Sequence, residues 1–485
     1  MTPGHQPKHQ RHLNVFVLAM LCLSVVVSLR NLPLTAEFGL SSISYYLLAT
    51  ICFMLPYALC SAELASGWPK SGGIYIWVKE ALGDRWGFFA IWMQWCHNVT
   101  WYPAMLAFIA TGLAYPFNPE LAQNKHYILS VVLIGFWSIT LINFLGIRSS
   151  ALFSTFCVVI GAIIPGMLLI SLGAWWVFQG YPSALEWSWR ACLPDFSHSS
   201  QLVFLAGIFL ALSGLEANAN HAREVKNPRK NFPRAIFIAA LLTLVILILG
   251  SLSIATVLPK QNITLVGGLF EAFHAFFSQY HLLWLVPILA LFTVLGALGE
   301  LNAWAIAGVK GLFATTEHGC LPPFFHKTNA KHVPVTLLLF QGVLVTAASF
   351  LFLYAPNINL SYWILSALAT QMYLIMYLFL LVSTLVLRYR KPLVNRAYQV
   401  PGGWIGIWFL AGLGFVSCLF AIIISFLLPL GHFNIPNVWI YELLMISSLT
   451  LSCLIPLAIY SFRRPHWQLL VLKDIKEHIH TETHD

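Results

Sequence analysis

Three charged side chains sit inside apolar runs of membrane length: Arg30, Glu216 and Glu300. A charge in such a run is expensive, so each is a functional-site candidate by default. Glu216 follows an apolar run over 202–212 and the motif Ser213-Gly214-Leu215, and a basic, proline-punctuated segment over 223–234 comes after it. Gly214 lowers helix propensity where a transporter needs an interrupted helix. An acid there can hold and release a proton, or meet a substrate ammonium. The plainer alternative is a protonated carboxyl bonded to helix backbone.

Arg30 lies in Ser28-Leu29-Arg30-Asn31-Leu32-Pro33. Pro33 removes a backbone donor and clashes with the preceding turn, which predicts an interruption of the first helix beside it. A guanidinium there can grip a substrate carboxylate through two parallel hydrogen bonds. It can equally pair inside the protein, with Glu37 or an intramembrane acid. Gly296, Glu300, Trp304 and Gly308 recur every four residues and form one helical stripe. The glycines permit close helix approach. The indole offers a cation–π face to an ammonium and can occlude a bound solute, although such a stripe also serves plain packing. Glu216 and Glu300 are thus the candidates for proton or pH coupling. His97 and Asn98 can bond between helices or line a path. Glu63 stands where a span ends, before Pro69, Gly72 and Gly73, and fits a salt bridge as well as a gating role.

The elements that position these residues are membrane helices. Hydrophobic residues are 59% of 485, charged residues 9%, and the mean hydropathy is +0.78. A soluble domain carries about 25% charged residues. Twelve spans are expected, roughly 13–38, 41–65, 86–117, 126–147, 150–179, 200–222, 235–258, 282–310, 334–354, 360–388, 404–430 and 438–462. An even number puts both tails on one side. Of the 26 Lys and Arg, all but Lys125, Arg190, Lys260 and the intramembrane Arg30 fall on the tail side. That asymmetry predicts cytoplasmic tails.

The net charge of +9 is therefore a topology signal and excludes nucleic acid as partner. The nine cysteines show neither a disulfide framework nor metal-ligand spacing, so no metal and no cofactor is expected. No nucleophile–base cluster at a membrane face supports a membrane enzyme. The expected organisation is an N-tail over 1–12, a transporter domain over 13–462 and a C-tail over 463–485. The tail histidines, His466, His478, His480 and His484, suit a disordered segment. Interruptions in the first and sixth spans point to two inverted five-helix repeats, about 13–180 and 200–390, with two extra helices over 404–462. Gly267-Gly268 and the amphipathic stretch 269–277 predict a short helix outside the membrane that acts as a lid.

The chain resembles the amino acid–polyamine–organocation (APC) superfamily of secondary transporters over nearly its whole length. The markers are Gly214-Leu215-Glu216 with Lys226-Asn227-Pro228-Arg229-Lys230, and Ala62-Glu63-Leu64 with Ser71-Gly72-Gly73-Ile74-Tyr75. It is most similar to the bacterial glutamate/γ-aminobutyrate antiporter family, through Leu82-Gly83-Asp84-Arg85-Trp86-Gly87-Phe88, Pro194-Asp195-Phe196-Ser197, Pro334-Val335-Thr336 and Pro401-Gly402-Gly403. The resemblance implies an all-α, LeuT-like 5+5 inverted repeat with broken helices 1 and 6. It implies an amino acid substrate held between spans 1, 3, 6, 8 and 10, and alternating access. It carries the pH- or substrate-linked acid of the sixth helix onto Glu216, and the Glu-x-x-x-Trp of the eighth onto Glu300 and Trp304. Val26, Val27 and Ser28 stand where most relatives have a Gly-Ser-Gly-like break, next to Leu29. Arg30 stands where the glutamate/γ-aminobutyrate exchangers carry tyrosine. The expected function is amino acid exchange across the inner membrane, with proton-coupled symport as the alternative.

Overall fold

The computed structural model describes residues 14–69, 72–144, 156–194, 199–216, 226–331, 333–428 and 438–467. The N-tail, the C-tail beyond Trp467, Arg148, Ser71, His221 and residues 195–197 of the Pro194 motif lie outside the described residues, as does most of the basic segment that follows Glu216. The architecture is all-α. Among the described residues, nine helices are long and apolar enough to cross a membrane. They match the second, fourth, fifth and seventh to twelfth predicted spans.

The remaining three spans miss that criterion for physical reasons. The third span, Asp84–Ala114, is one 31-residue helix. Its tryptophans, His97, Asn98 and Thr100 lower its hydropathy, yet nearly all of its middle is buried against other helices. The first and sixth spans are interrupted. Val15–Val26 is helical, Val27 and Ser28 are extended, and helix resumes through a 3-10 turn over Leu29–Asn31 into Leu32–Ala36. The break thus falls at Val27-Ser28, the positions that the resemblance aligned with the break of relatives, and not at Pro33, where the proline predicted it. Pro33 occupies the first turn of the following helix, a place where its missing N–H has no partner to lose. The sixth span is helical over Ser199–Ala211 and opens at Ser213-Gly214. Gly214 has φ +115, a backbone conformation that a side chain disfavours.

Two further irregularities flank prolines. The second span, Gly39–Gly67, carries a π-turn at Thr50–Met54 just before Pro56. Pro56 cannot donate to the Cys52 carbonyl, and Ser417 of the eleventh span donates to it at 2.9 Å. The fifth span, Phe156–Phe178, has a π-turn at Val159–Ile163 before Pro165. There its Gly161 meets Gly296 of the eighth span, Leu285–Phe313, backbone to backbone: a Cβ on Gly161 would lie 2.2 Å from the Gly296 Cα. Gly308, the other glycine of that stripe, makes room for Asn98. Both contacts are the close approach expected of small residues.

The connector after the second span turns at Gly72 and Gly73, both with positive φ, and a short helix follows at Ile74–Leu82. The lid helix forms at Gly268–Gln279 and buries Phe270, Phe273, Phe276 and Phe277.

Candidate functional site

The two interruptions face each other in the middle of the bundle. The one in the sixth span is bonded by tyrosines from other helices. At the sixth span, Tyr57 of the second span donates to the Leu212 carbonyl at 2.6 Å. Tyr377 of the tenth span, Ile358–Arg390, accepts from the Gly214 N–H at 2.9 Å. These bonds satisfy backbone groups that the broken helix leaves without helical partners.

Glu216 is buried and receives two tyrosine hydroxyls. Tyr377 donates to Oε2 at 2.6 Å and Tyr373 donates to Oε1. The carboxyl also meets the backbone of Gly214 and Glu216 at its own helix break, and through the two tyrosines it ties the sixth span to the tenth. Hydroxyl donors favour the ionised carboxylate and compete with burial, which favours the neutral acid. Glu216→Gln keeps the shape and removes the titration, and it leaves one tyrosine without its acceptor. The pH profile of transport should flatten in this variant. A wild-type profile in folded, active protein removes Glu216 from the coupling.

Across the cavity, Arg30 is 1% exposed. Its guanidinium carbon stands 5.3 Å from the Trp101 ring centroid and 5.6 Å from that of Tyr362, and Tyr362 donates to the Arg30 carbonyl at 3.4 Å. Nε and Nη1 have no hydrogen-bond partner among the described residues. Two aromatic faces thus hold the cation while two of its donor positions stay open. Glu300 lies within electrostatic reach of it and accepts a hydrogen bond from the Ser28 hydroxyl. Of the two internal partners weighed for Arg30, the intramembrane acid is the one that stands nearby.

Trp304 lies one turn beyond Glu300. Its ring packs at 6.3 Å from His97, 6.1 Å from Tyr373 and 6.4 Å from Trp101. Gly214 comes close as well: a Cβ there would be 3.3 Å from Trp304 Cζ2. His97 stacks on Tyr373 at 4.0 Å, and its Nδ1 lies 2.9 Å from the Ala369 carbonyl. A carbonyl only accepts, so Nδ1 carries a proton.

Of the residues predicted from sequence, Ser28, Arg30, Gly214, Glu216, Glu300 and Trp304 come together around this space. Val26, Val27, Ser213 and Leu215 are buried beside the breaks. Leu29 points elsewhere, toward Gly166 of the fifth span. His97 bonds between helices as expected, but the Asn98 amide has no hydrogen-bond partner and packs on Gly308. Tyr57, Trp101, Tyr362, Tyr373 and Tyr377 were not read from the sequence. The spacing of Tyr373 and Tyr377, four apart within an apolar run, is the signal that points to them.

Glu63 does not join the cavity. It forms a buried ion cluster with Arg388 and Arg396 at the end of the bundle where the tenth span exits. The salt-bridge reading of that residue is the one the structure supports.

The family model for amino acid permeases matches residues 13–449. An uncharacterized transporter of Legionella pneumophila is 41% identical over 444 residues, covering 92% of this chain and 95% of that protein. A glutamate/γ-aminobutyrate antiporter of Lactococcus lactis is 33% identical over 458 residues, covering 93% of this chain and 91% of its own. A polyamine transporter of Oryza sativa is 26% identical over 381 residues, covering 77% and 65%. With broken first and sixth helices beside the buried Arg30, Glu300 and Glu216, and with these matches over nearly its whole length, the chain belongs to the amino acid permease family of the APC superfamily of multi-span transporters.

Proposed function

We propose that this protein is an amino acid antiporter of the bacterial inner membrane, with both termini in the cytoplasm. In this reading Arg30 grips the substrate carboxylate, and Glu216 and Glu300 manage the ammonium and the proton. The observation that carries it is the buried guanidinium with two open donor positions beside the first helix break. A polyamine brings only positive charge, which Arg30 repels in a medium of low dielectric. A carboxylate brings the acceptor pair that a guanidinium fork fits. Substrates with a carboxylate, glutamate and γ-aminobutyrate among them, are favoured over bare amines. Trp304 covers the bound molecule during the exchange.

Counterflow in proteoliposomes tests this directly. Labelled glutamate should enter vesicles preloaded with unlabelled glutamate or γ-aminobutyrate and should not enter empty ones. Uptake into empty vesicles driven only by a proton gradient would establish symport instead. Ligand-dependent thermal stabilisation without flux would make the protein a sensor. The orientation has its own readout: an impermeant thiol reagent added outside should label Cys192 and spare cysteines introduced at Arg229 and Arg390.

A further inference from the structure

The short helix Gly268–Gln279 stacks Phe270 on Phe108 of the third span and sets Gly268 against Pro33. Its Glu271 is partly buried and is held by one residue, Thr264. The Thr264 hydroxyl donates to Oε1 at 2.7 Å and its backbone N–H points to Oε2 at 3.4 Å. No basic side chain among the described residues pairs with Glu271. A part-buried carboxylate without a cation is a costly arrangement.

A cavity of about 90 Å³ opens beside it; its lining includes Thr111, Tyr115, Gln123, Thr264, Glu271 and Asn359, whose side chains carry oxygen, among apolar residues. One water takes about 30 Å³ of liquid, so an ion and some of its hydration fit. The Thr111 hydroxyl is 2% exposed and has no hydrogen-bond partner. Gly267 forms part of the wall. A Cβ on it would stand 2.8 Å from Thr264 Oγ1 and 3.0 Å from Glu271 Oε1, so the glycine is what leaves those oxygens open to the cavity.

We propose that this pocket binds a small monovalent cation, sodium or a primary ammonium, and that the ion fastens the lid helix to the third and tenth spans. Hard cations take oxygen ligands, and a single carboxylate matches a single positive charge. Thr111 reaches the pocket from the third span, Asn359 from the tenth and Glu271 from the lid, so an ion held among them links the three. Burial raises the Glu271 carboxyl above its ordinary range, and a bound cation offsets that by stabilising the carboxylate. The site is separate from the cavity around Arg30.

Thermal unfolding of the purified full-length protein at constant ionic strength is the test. Sodium, methylammonium and choline chlorides would be compared in the wild type, Glu271→Gln and Thr111→Val. A ligand that binds only the folded state raises the melting temperature with the logarithm of its concentration. Sodium should produce that rise, choline should not, and both variants should lose most of it. Methylammonium acting in place of sodium would identify an amine as the ligand of the same site. Equal shifts with all three salts would overturn the proposal. So would a sodium shift that survives intact in either variant, or no shift with either small cation. Thr111→Val removes only an unpartnered hydroxyl, so it stays informative should Glu271→Gln fold poorly.

Discussion

Glu63→Ala should lower the stability of this protein by about 3–5 kcal/mol, the range for stripping the partner from a buried charge. Glu63 is 1% exposed. It accepts from Arg388 Nε at 3.0 Å and from the Val400 N–H at 2.8 Å, and Arg396 Nε stands 3.5 Å away. Arg388 also donates to the Gly403 carbonyl at 2.9 Å, and Arg396 to the Leu387 carbonyl at 2.9 Å while covering Trp68. Two guanidinium groups thus lean on one carboxylate. Without it, both remain buried with only carbonyls as partners. The expected result is a collapse of monodisperse yield on size exclusion and a large drop in melting temperature. Arg396→Met should be milder, because Arg388 keeps its two-pronged bond to Glu63. A Glu63→Ala protein with the wild-type melting temperature would show that water or the connector at 391–402 relieves the charges.

Arg30 is the second large effect. Its open donors predict a loss in binding with little loss in folding, the reverse of Glu63. A hydrogen bond to a charged group contributes roughly 1.5–3 kcal/mol, or about a ten- to hundredfold change in affinity. Arg30→Lys keeps the charge facing Glu300 and discards the planar fork. The apparent KM for a carboxylate substrate should rise by about that factor, with near-normal yield. Arg30→Gln also removes the cation facing Glu300, so it should lose yield as well as transport. Wild-type KM in the Lys variant would leave Arg30 as a packing cation between Trp101 and Tyr362.

The membrane helices were legible because long apolar runs have few other uses. The breaks were legible as well, one of them for the wrong reason. Pro33 marked the neighbourhood of the first break but sits harmlessly at the start of the next helix, while Val27 and Ser28 carry the extended conformation. Nothing in their types announces that, since β-branched and small polar residues occur throughout membrane helices. Arg30, Glu216, Glu300 and Trp304 stood out as expensive or conspicuous residues in apolar surroundings. Their partners did not. Tyr57, Tyr373 and Tyr377 are ordinary for a membrane chain until helices far apart in sequence are brought side by side. Asn98 misled for a related reason. Its polarity suggested a bond across helices, but the glycine opposite it offers only room.

The proline in the second span has a bearing on how the protein is made. The carbonyl it leaves behind is met by Ser417, and Gly414 of the same helix is small enough to sit against the proline ring, where a Cβ would come within 2.8 Å. The eleventh helix is synthesised some 350 residues after that kink, a separation read from the positions of Pro56 and Gly414. An early helix therefore reaches its final hydrogen bonding only once a late one has left the ribosome and joined the bundle. A chain stopped after the tenth span would hold Arg30, Glu216, Glu300 and Trp304, yet its Cys52 carbonyl would lack the Ser417 donor.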